Sequence, residues 1–177
     1  KWTSVGDLEL IQTQVLNDSS YSTISLAFES LGDYNLHLVT WSNVRNNGYF
    51  PLGIQVKTGG SYITSNSYKY AMQQFSDNAT FTQTKSTGDY SIKVGISAYQ
   101  GCSGYAYIYN AVDSSRGTYV TSHSTQARGN LLGSNGMFGA GTYATASEVQ
   151  GFRFVYEGTS HAMGGFGIYS LYGVSEG

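Results

Sequence analysis

The chain has 177 residues, enough for one domain with its own hydrophobic core, and a formal net charge of -2. Only 11% of the residues are charged, whereas 16 residues are tyrosine and 23 are glycine. Because no Lys/Arg cluster occurs, the sequence excludes the positive surface that nucleic-acid binding needs. No apolar run approaches the ~18 residues of a membrane-spanning helix, so we expect no membrane insertion.

Alternation of apolar and polar residues, which is typical of half-buried strands, recurs along the chain. Residues 8–16 predict a strand with a bulge near Ile11. Residues 67–75 fit a short helix or a strand equally, and the polar residues 76–89 are typical of a long excursion between sheets. Further strands are predicted at residues 21–30, 34–44, 52–58, 89–98, 104–112, 117–127, 137–145, 150–157 and 166–174.

About ten short strands without βαβ alternation predict an all-β fold, an antiparallel two-sheet β-sandwich. We expect a single domain over residues 1–177, with under about a tenth of the residues in helix, well below the usual third. The chain begins with Lys1 rather than Met, which leaves room for a longer N-terminal region in the full protein.

The last two predicted strands form what we interpret as a terminal hairpin. Phe152, Phe154 and Tyr156 share one face of the first strand, and Tyr169 and Leu171 share a face of the second. Such a hairpin would bury the densest aromatic surface of the chain and would close an otherwise exposed sheet edge. We therefore predict that it belongs to the core.

The chain shows no arrangement of residues that is typical of an enzyme or a metal site. Cys102 is the single cysteine and lies in a small-residue stretch that we interpret as a turn, so no disulfide forms within the chain. Glu29 with Asp33 is the kind of pair that a glycosidase needs, but solvated turn acids are the default interpretation. We expect no catalytic residue, no cofactor and no metal ion.

One predicted strand carries three tyrosines on the same face. If Ala106 and Ile108 face the core, Tyr105, Tyr107 and Tyr109 form a ladder on the outside of a sheet. Packing against a neighbouring strand, an inversion of the two faces, a subunit interface and a sugar-stacking platform all fit this pattern.

A second set of residues fits glycan binding and ordinary turns equally. Asparagine and tyrosine supply hydrogen-bonding groups and stacking surfaces, which are the two contacts that sugars use. The set comprises Asn46, Asn47, Tyr49 and Tyr62.

Four stretches follow one another in the order of a known module. They are 2-WTSVGD-7, 33-DYNLHLVTWSNVRNNGYFPLGIQVKTGGSY-62, 103-SGYAYIYNAVDSSRGTYVTSHST-125, and the ending 152-FRFVYE-157 with 168-IYSLYGV-174. Together they span nearly the whole chain. In this order they resemble a module of a family of tailed-bacteriophage virion proteins. The chain departs from the family pattern in the longer, more polar residues 63–90 and in Ala111, where proline is common.

The resemblance implies a non-enzymatic structural protein on the virion exterior, built on a jelly-roll-like sandwich. The expected role is that of a tail-fibre or receptor-binding module for host attachment, which contacts host surface glycan. Other virion proteins are then partners, and a homo-oligomer is expected because charge-poor, tyrosine-rich strands leave apolar surface. A trimer in particular is what the resemblance implies. Two alternatives are a capsid decoration or head-fibre protein that stabilises or covers the shell, and a secreted lectin-like carbohydrate-binding domain.

Overall fold

The computed structural model describes residues 7–18, 26–45, 50–77, 79–97, 101–128, 133–156 and 165–175, which form strands and turns. These ranges contain no helix, and hence none long and apolar enough to cross a membrane. The strands are β1 Leu8–Asp18, β2 Leu26–Phe28, β3 Leu36–Arg45, β4 Phe50–Thr58, β5 Ser61–Tyr62, β6 Tyr68–Ser76, β7 Phe81–Asp89, β8 Ile92–Ser97, β9 Cys102–Tyr109, β10 Thr118–Arg128, β11 Gly133–Tyr143, β12 Gly151–Tyr156 and β13 Gly165–Val174.

The strands form two antiparallel sheets. The large sheet has eight strands in the order β1-β13-β3-β9-β10-β11-β6-β7. The small sheet has the order β2-β12-β4-β5, and β8 also pairs with β4. This arrangement confirms the predicted all-β, antiparallel two-sheet architecture, while the jelly-roll connectivity stays a prediction.

Aromatic side chains fill the space between the two sheets. Phe154 of the small sheet packs against Trp41 and Tyr169 of the large sheet, with ring centroids 5.6 and 5.0 Å apart respectively. Tyr68 of the large sheet accepts a hydrogen bond of 2.9 Å from the backbone N–H of Val56 in the small sheet. Both sheets therefore contribute their inward faces to one core.

His37 on β3 is a buried polar member of this core. Its Nε2 lies 2.9 Å from the Leu31 carbonyl oxygen, which identifies Nε2 as the protonated nitrogen of the neutral ring. The ring also makes edge contacts with Tyr34 and Phe152. Burial lowers the pKa of His37 below its ordinary value, although the Leu31 carbonyl acts in the opposite direction.

Three predictions from the sequence concern single strands of the large sheet. The bulge predicted near Ile11 is confirmed, because the pairing of β1 with β13 shifts register between Leu10 and Gln12. Residues 68–75 of the ambiguous stretch belong to a strand, β6, rather than to a helix. The predicted excursion at residues 76–89 is wrong, since β7 occupies most of it as the edge strand of the large sheet. An edge strand exposes both faces, so its sequence lacks the apolar alternation of an inner strand.

The predicted terminal hairpin is also wrong as a pairing. β12 lies between β2 and β4 in the small sheet, whereas β13 lies between β1 and β3 in the large sheet. Eight residues, 157–164, separate the two strands, and an extended chain of that length spans up to ~26 Å. Because packed sheets lie ~10 Å apart, this connection is long enough to cross between them. The five residues predicted to belong to the core are nevertheless buried: Phe152, Phe154, Tyr156, Tyr169 and Leu171.

Candidate functional site

The outward face of the large sheet carries no Asp, Glu, Lys or Arg in four consecutive cross-strand rows between β1 and β11. Cross-strand pairing defines the rows, since partners in register point to the same side. The first two rows are Leu8, Val174, Leu36, Tyr109, Tyr119 and Thr142, then Leu10, Tyr172, Leu38, Tyr107, Thr121 and Ala140. The third row is Thr13, Ser170, Thr40, Tyr105, His123 and Phe138. The fourth row contains Val15, Ile168, Ser42, Ser103, Thr125 and Gly136.

The predicted tyrosine ladder lies on this outward face. Ala106 and Ile108 are fully buried, so Tyr105, Tyr107 and Tyr109 point away from the core. The Tyr105 and Tyr107 rings meet edge to face at 5.9 Å, and the Tyr107 and Tyr109 rings are 6.4 Å apart. The sequence left open which face of this strand is buried. The structure shows that the tyrosines are on the outer face.

Tyr105 also begins a second line of rings, which runs across the strands. The Tyr105 ring stacks on His123 of β10 at 5.4 Å with an interplanar angle of 12°. His123 in turn lies 5.9 Å from the Phe138 ring on β11. We call these three side chains the aromatic ridge.

A row of small residues lies beside the aromatic ridge. Ser103, Thr125 and Gly136 pair in register across β9, β10 and β11, and we call this row the trough. Phe75 of β6 closes one end of the trough, because its ring lies over Gly136. A Cβ on Gly136 would stand 2.1 Å from the Phe75 Cζ, so a larger residue there would displace the ring from the trough.

The aromatic ridge and the trough together line an open cleft with a volume of about 510 Å³. This volume is within the range of small-molecule sites. Its walls combine aromatic rings with serine and threonine side chains. The lining residues are Trp41, Ser42, Phe75, Ser103, Gly104, Tyr105, His123, Ser124, Thr125, Met137 and Phe138.

A backbone irregularity in β3 borders the cleft. The pairing of β3 with β9 shifts between Trp41 and Val44, and Asn43 between them has a φ of 54°. Asparagine tolerates this left-handed conformation better than most residues. The Asn43 N–H donates a 3.0 Å hydrogen bond to the Ser103 Oγ, which fixes the position of that hydroxyl at the cleft.

Tyr62 lies away from the ladder, on the small sheet. Its hydroxyl donates a 2.8 Å hydrogen bond to Glu29 Oε1, and the Arg153 guanidinium lies 4.3 Å from its ring centroid. Glu29 also forms an ion pair with Lys57. The hydrogen bonds from Lys57 and Tyr62 lower the pKa of Glu29. Tyr62 therefore joins a charged network, and the structure does not bring it to the cleft.

The remaining predicted contact residues, Asn46, Asn47 and Tyr49, lie outside the described residues. Cys102 is the first residue of β9 rather than part of a turn, and its side chain is buried. The Trp41 indole N–H lies 3.4 Å from its Sγ. Burial raises the pKa of the Cys102 thiol to about 11, which makes it a poor nucleophile.

The sequence did not single out three members of the cleft, His123, Phe138 and Phe75. The alternation at residues 117–127 does put Tyr119 and His123 on one face, and this was the available signal. The cross-strand register that aligns His123 with Tyr105 and Phe138 depends on pairing between separate strands, which local alternation does not specify.

The described part of the chain contains no group of three or more His, Cys, Asp or Glu side chains that could hold a metal ion. The chain matches no protein-family model and no curated protein sequence at a significant level. The resemblance to tailed-phage virion proteins therefore rests on the sequence motifs alone.

Proposed function

We propose that the protein is a non-enzymatic attachment module that binds glycan in the cleft on its large sheet. The observation that carries this proposal is the aromatic ridge of Tyr105, His123 and Phe138 beside a trough that carries hydroxyl groups. A sugar ring has one apolar face of C–H groups and a rim of hydroxyls. It therefore matches a site that offers ring faces on one side and hydrogen-bonding groups on the other.

The cleft favours a neutral sugar over a charged ligand. No Asp, Glu, Lys or Arg is among its lining residues. An acidic sugar or a phosphate would lose hydration without gaining an opposite charge, which is unfavourable. The Ser103 Oγ accepts the Asn43 N–H, so its own hydrogen can be donated to a ligand oxygen.

The resemblance to tailed-phage proteins supports a place on the virion exterior, where a glycan-binding tail-fibre or receptor-binding module would meet the host surface. Other virion proteins would then hold the module in place. The capsid-decoration alternative would use the same sandwich to cover the shell instead.

Binding of the purified protein to an array of neutral and acidic glycans tests the proposal. We expect binding to a neutral glycan, and we expect Tyr105→Ala to weaken it by two- to tenfold, because one stacking contact of ~0.5–1.5 kcal/mol is lost. Thr125→Leu should abolish binding, since the larger side chain fills the trough. The matched control is Tyr119→Ala, which removes a tyrosine that is 52% exposed on the same face but does not line the cleft.

Three outcomes would contradict the proposal: no binding to any neutral glycan, equal binding to acidic glycans, or an equal loss in Tyr119→Ala. A second assay compares the labelled protein on host cells and on isolated capsids. Binding to capsids alone would favour the decoration protein over the attachment module.

A further inference from the structure

We propose that a second apolar region of the large sheet, beside the cleft, is the interface between copies of this chain. The region lies on β1, β13 and β3, at the opposite end of the sheet from β11 and β6. We call it the apolar patch. Its outward residues are Leu8, Leu10, Val15, Leu36, Leu38, Ile168, Tyr172 and Val174.

The exposure of the apolar patch is high for side chains of this type. Leu8, Leu10, Val15 and Ile168 are 52%, 55%, 65% and 50% exposed. Single exposed apolar residues are ordinary on a protein surface, but each of these has an apolar partner on the adjacent strand: Leu8 pairs with Val174, Leu10 with Tyr172, and Val15 with Ile168. Contiguous apolar surface of this kind marks a site of interaction.

Two of the hydroxyl groups within the apolar patch are already paired with each other. Thr13 and Ser170 lie side by side on β1 and β13, and their hydroxyl oxygens are 3.0 Å apart. These hydroxyls keep a hydrogen bond when water leaves, so covering them costs less than covering free ones. The surface is therefore suited to a partner that offers apolar contacts rather than charges.

A copy of the same chain is such a partner. On either side of β13, the outward residues match in type at three successive levels: Leu8 with Leu36, Leu10 with Leu38, and Thr13 with Thr40. When a second copy packs face to face on this region, its apolar rows lie against the apolar rows of the first copy. Its hydroxyl row likewise lies against the hydroxyl row of the first copy. The apolar patch is thus its own chemical complement.

The area of this surface is consistent with a specific but reversible contact. Eight residues on each of β1, β13 and β3, with the half of β9 that carries Tyr107 and Tyr109 and does not line the cleft, give roughly 450 Å² per copy at ~4.8 Å strand spacing and ~3.4 Å rise. Two copies would then bury roughly 900 Å², which is in the range of weak, transient interfaces. We accordingly expect association in the micromolar range rather than a permanent assembly.

The mass of the protein in solution, measured by sedimentation over a range of concentrations, tests this inference. We expect a multiple of the 19.1 kDa chain mass at high concentration, and a weakening of association by at least tenfold in Ile168→Lys and in Leu10→Lys. The matched control is Phe81→Lys, at a side chain that is 70% exposed on β7, the far edge of the same sheet. This control should associate like the wild type.

Two further measurements separate loss of association from loss of folding or of glycan binding. Each variant should keep the melting temperature of the monomeric wild type and its glycan affinity, because Leu10 and Ile168 do not line the cleft. Hydrogen exchange of the β1 amides in the wild type should slow as concentration rises. A monomer at all concentrations, or an oligomer that Ile168→Lys leaves intact, would overturn the inference.

Discussion

Phe154 gives the most direct measure of what the aromatic core contributes to stability. The side chain is 1% exposed and touches the Trp41 and Tyr169 rings of the opposite sheet. Phe154→Ala removes these contacts and leaves a cavity between the sheets. We expect it to lower the free energy of unfolding by about 3–5 kcal/mol in urea titrations.

The control for this prediction is Phe81→Ala, because Phe81 is 70% exposed on an edge strand. A surface truncation of this kind should change the free energy of unfolding by less than about 0.5 kcal/mol. Equal losses in the two variants would show that Phe154 does not bridge the sheets as described.

His37 should make stability depend on pH. Its pKa is lowered in the folded protein, whereas the unfolded ring takes up a proton near its ordinary value of ~6.5. The unfolded state therefore binds more protons as pH falls below that value. Stability should be fully present above about pH 6.5 and should decline below it, by at most ~1.4 kcal/mol per pH unit, until the folded ring also protonates.

Urea unfolding at several pH values from about 7.5 to 5 measures this slope. The lowered pKa values of Glu29 and Asp113 act at lower pH, so they do not obscure this range. In His37→Gln the side chain no longer titrates, and the slope should flatten. An unchanged slope in that variant would exclude His37 as its source.

Residue-level predictions from the sequence succeeded where they depended on local alternation. The period of two put Ala106 and Ile108 opposite the tyrosine ladder but left open which face is buried, whereas the burial of Phe152 and Phe154 was predicted and is confirmed. The stacking of Tyr105 on His123 could not be predicted, because it depends on the register between two strands that the local pattern leaves open.

At the level of elements, β12 and β13 each complete a different sheet. β13 is the strand that pairs with β1, and β12 is the strand that pairs with β2. A chain that ends after Gly151 loses both, and with them Phe154, Tyr156, Tyr169 and Leu171 from the core. We expect this truncation to abolish cooperative unfolding, as measured by circular dichroism and calorimetry.

The control for the truncation is a chain that ends at Ser175. It keeps every described pair of β13, whose ladder ends at Val174. It should unfold at the wild-type temperature. A soluble chain that ends at Gly151 and unfolds cooperatively would contradict the assignment of both strands to the core.

The strands themselves could be predicted, but the sheet to which each belongs could not. Alternating residues in β12 and β13 indicate that each strand has a buried face, and both sheets of a sandwich offer one. Because β12 and β13 are consecutive in the sequence, a hairpin between them was favoured. The connection of residues 157–164 is nevertheless long enough to cross from one sheet to the other. The edge strand β7 was missed for the opposite reason, since it has no buried face to produce a pattern.

The whole molecule has two outer faces of different character. The small sheet carries the network of Glu29, Lys57, Tyr62 and Arg153, in which Lys57 pairs with Glu29 and Arg153 lies over the Tyr62 ring. Between β1 and β11, the outward face of the large sheet carries aromatic, aliphatic and hydroxyl side chains. The total of 11% charged residues indicated a surface poor in charge, but only the fold shows that the two faces differ.

The position of β13 in the large sheet affects how the chain folds during translation. β1 leaves the ribosome well before β13, yet β13 is the pairing partner of β1 in the large sheet. β1 therefore acquires its neighbour only after β13 has been synthesised. During translation it offers open backbone groups and exposed leucines to other nascent chains. The large sheet can therefore be completed only after β13 has emerged from the ribosome.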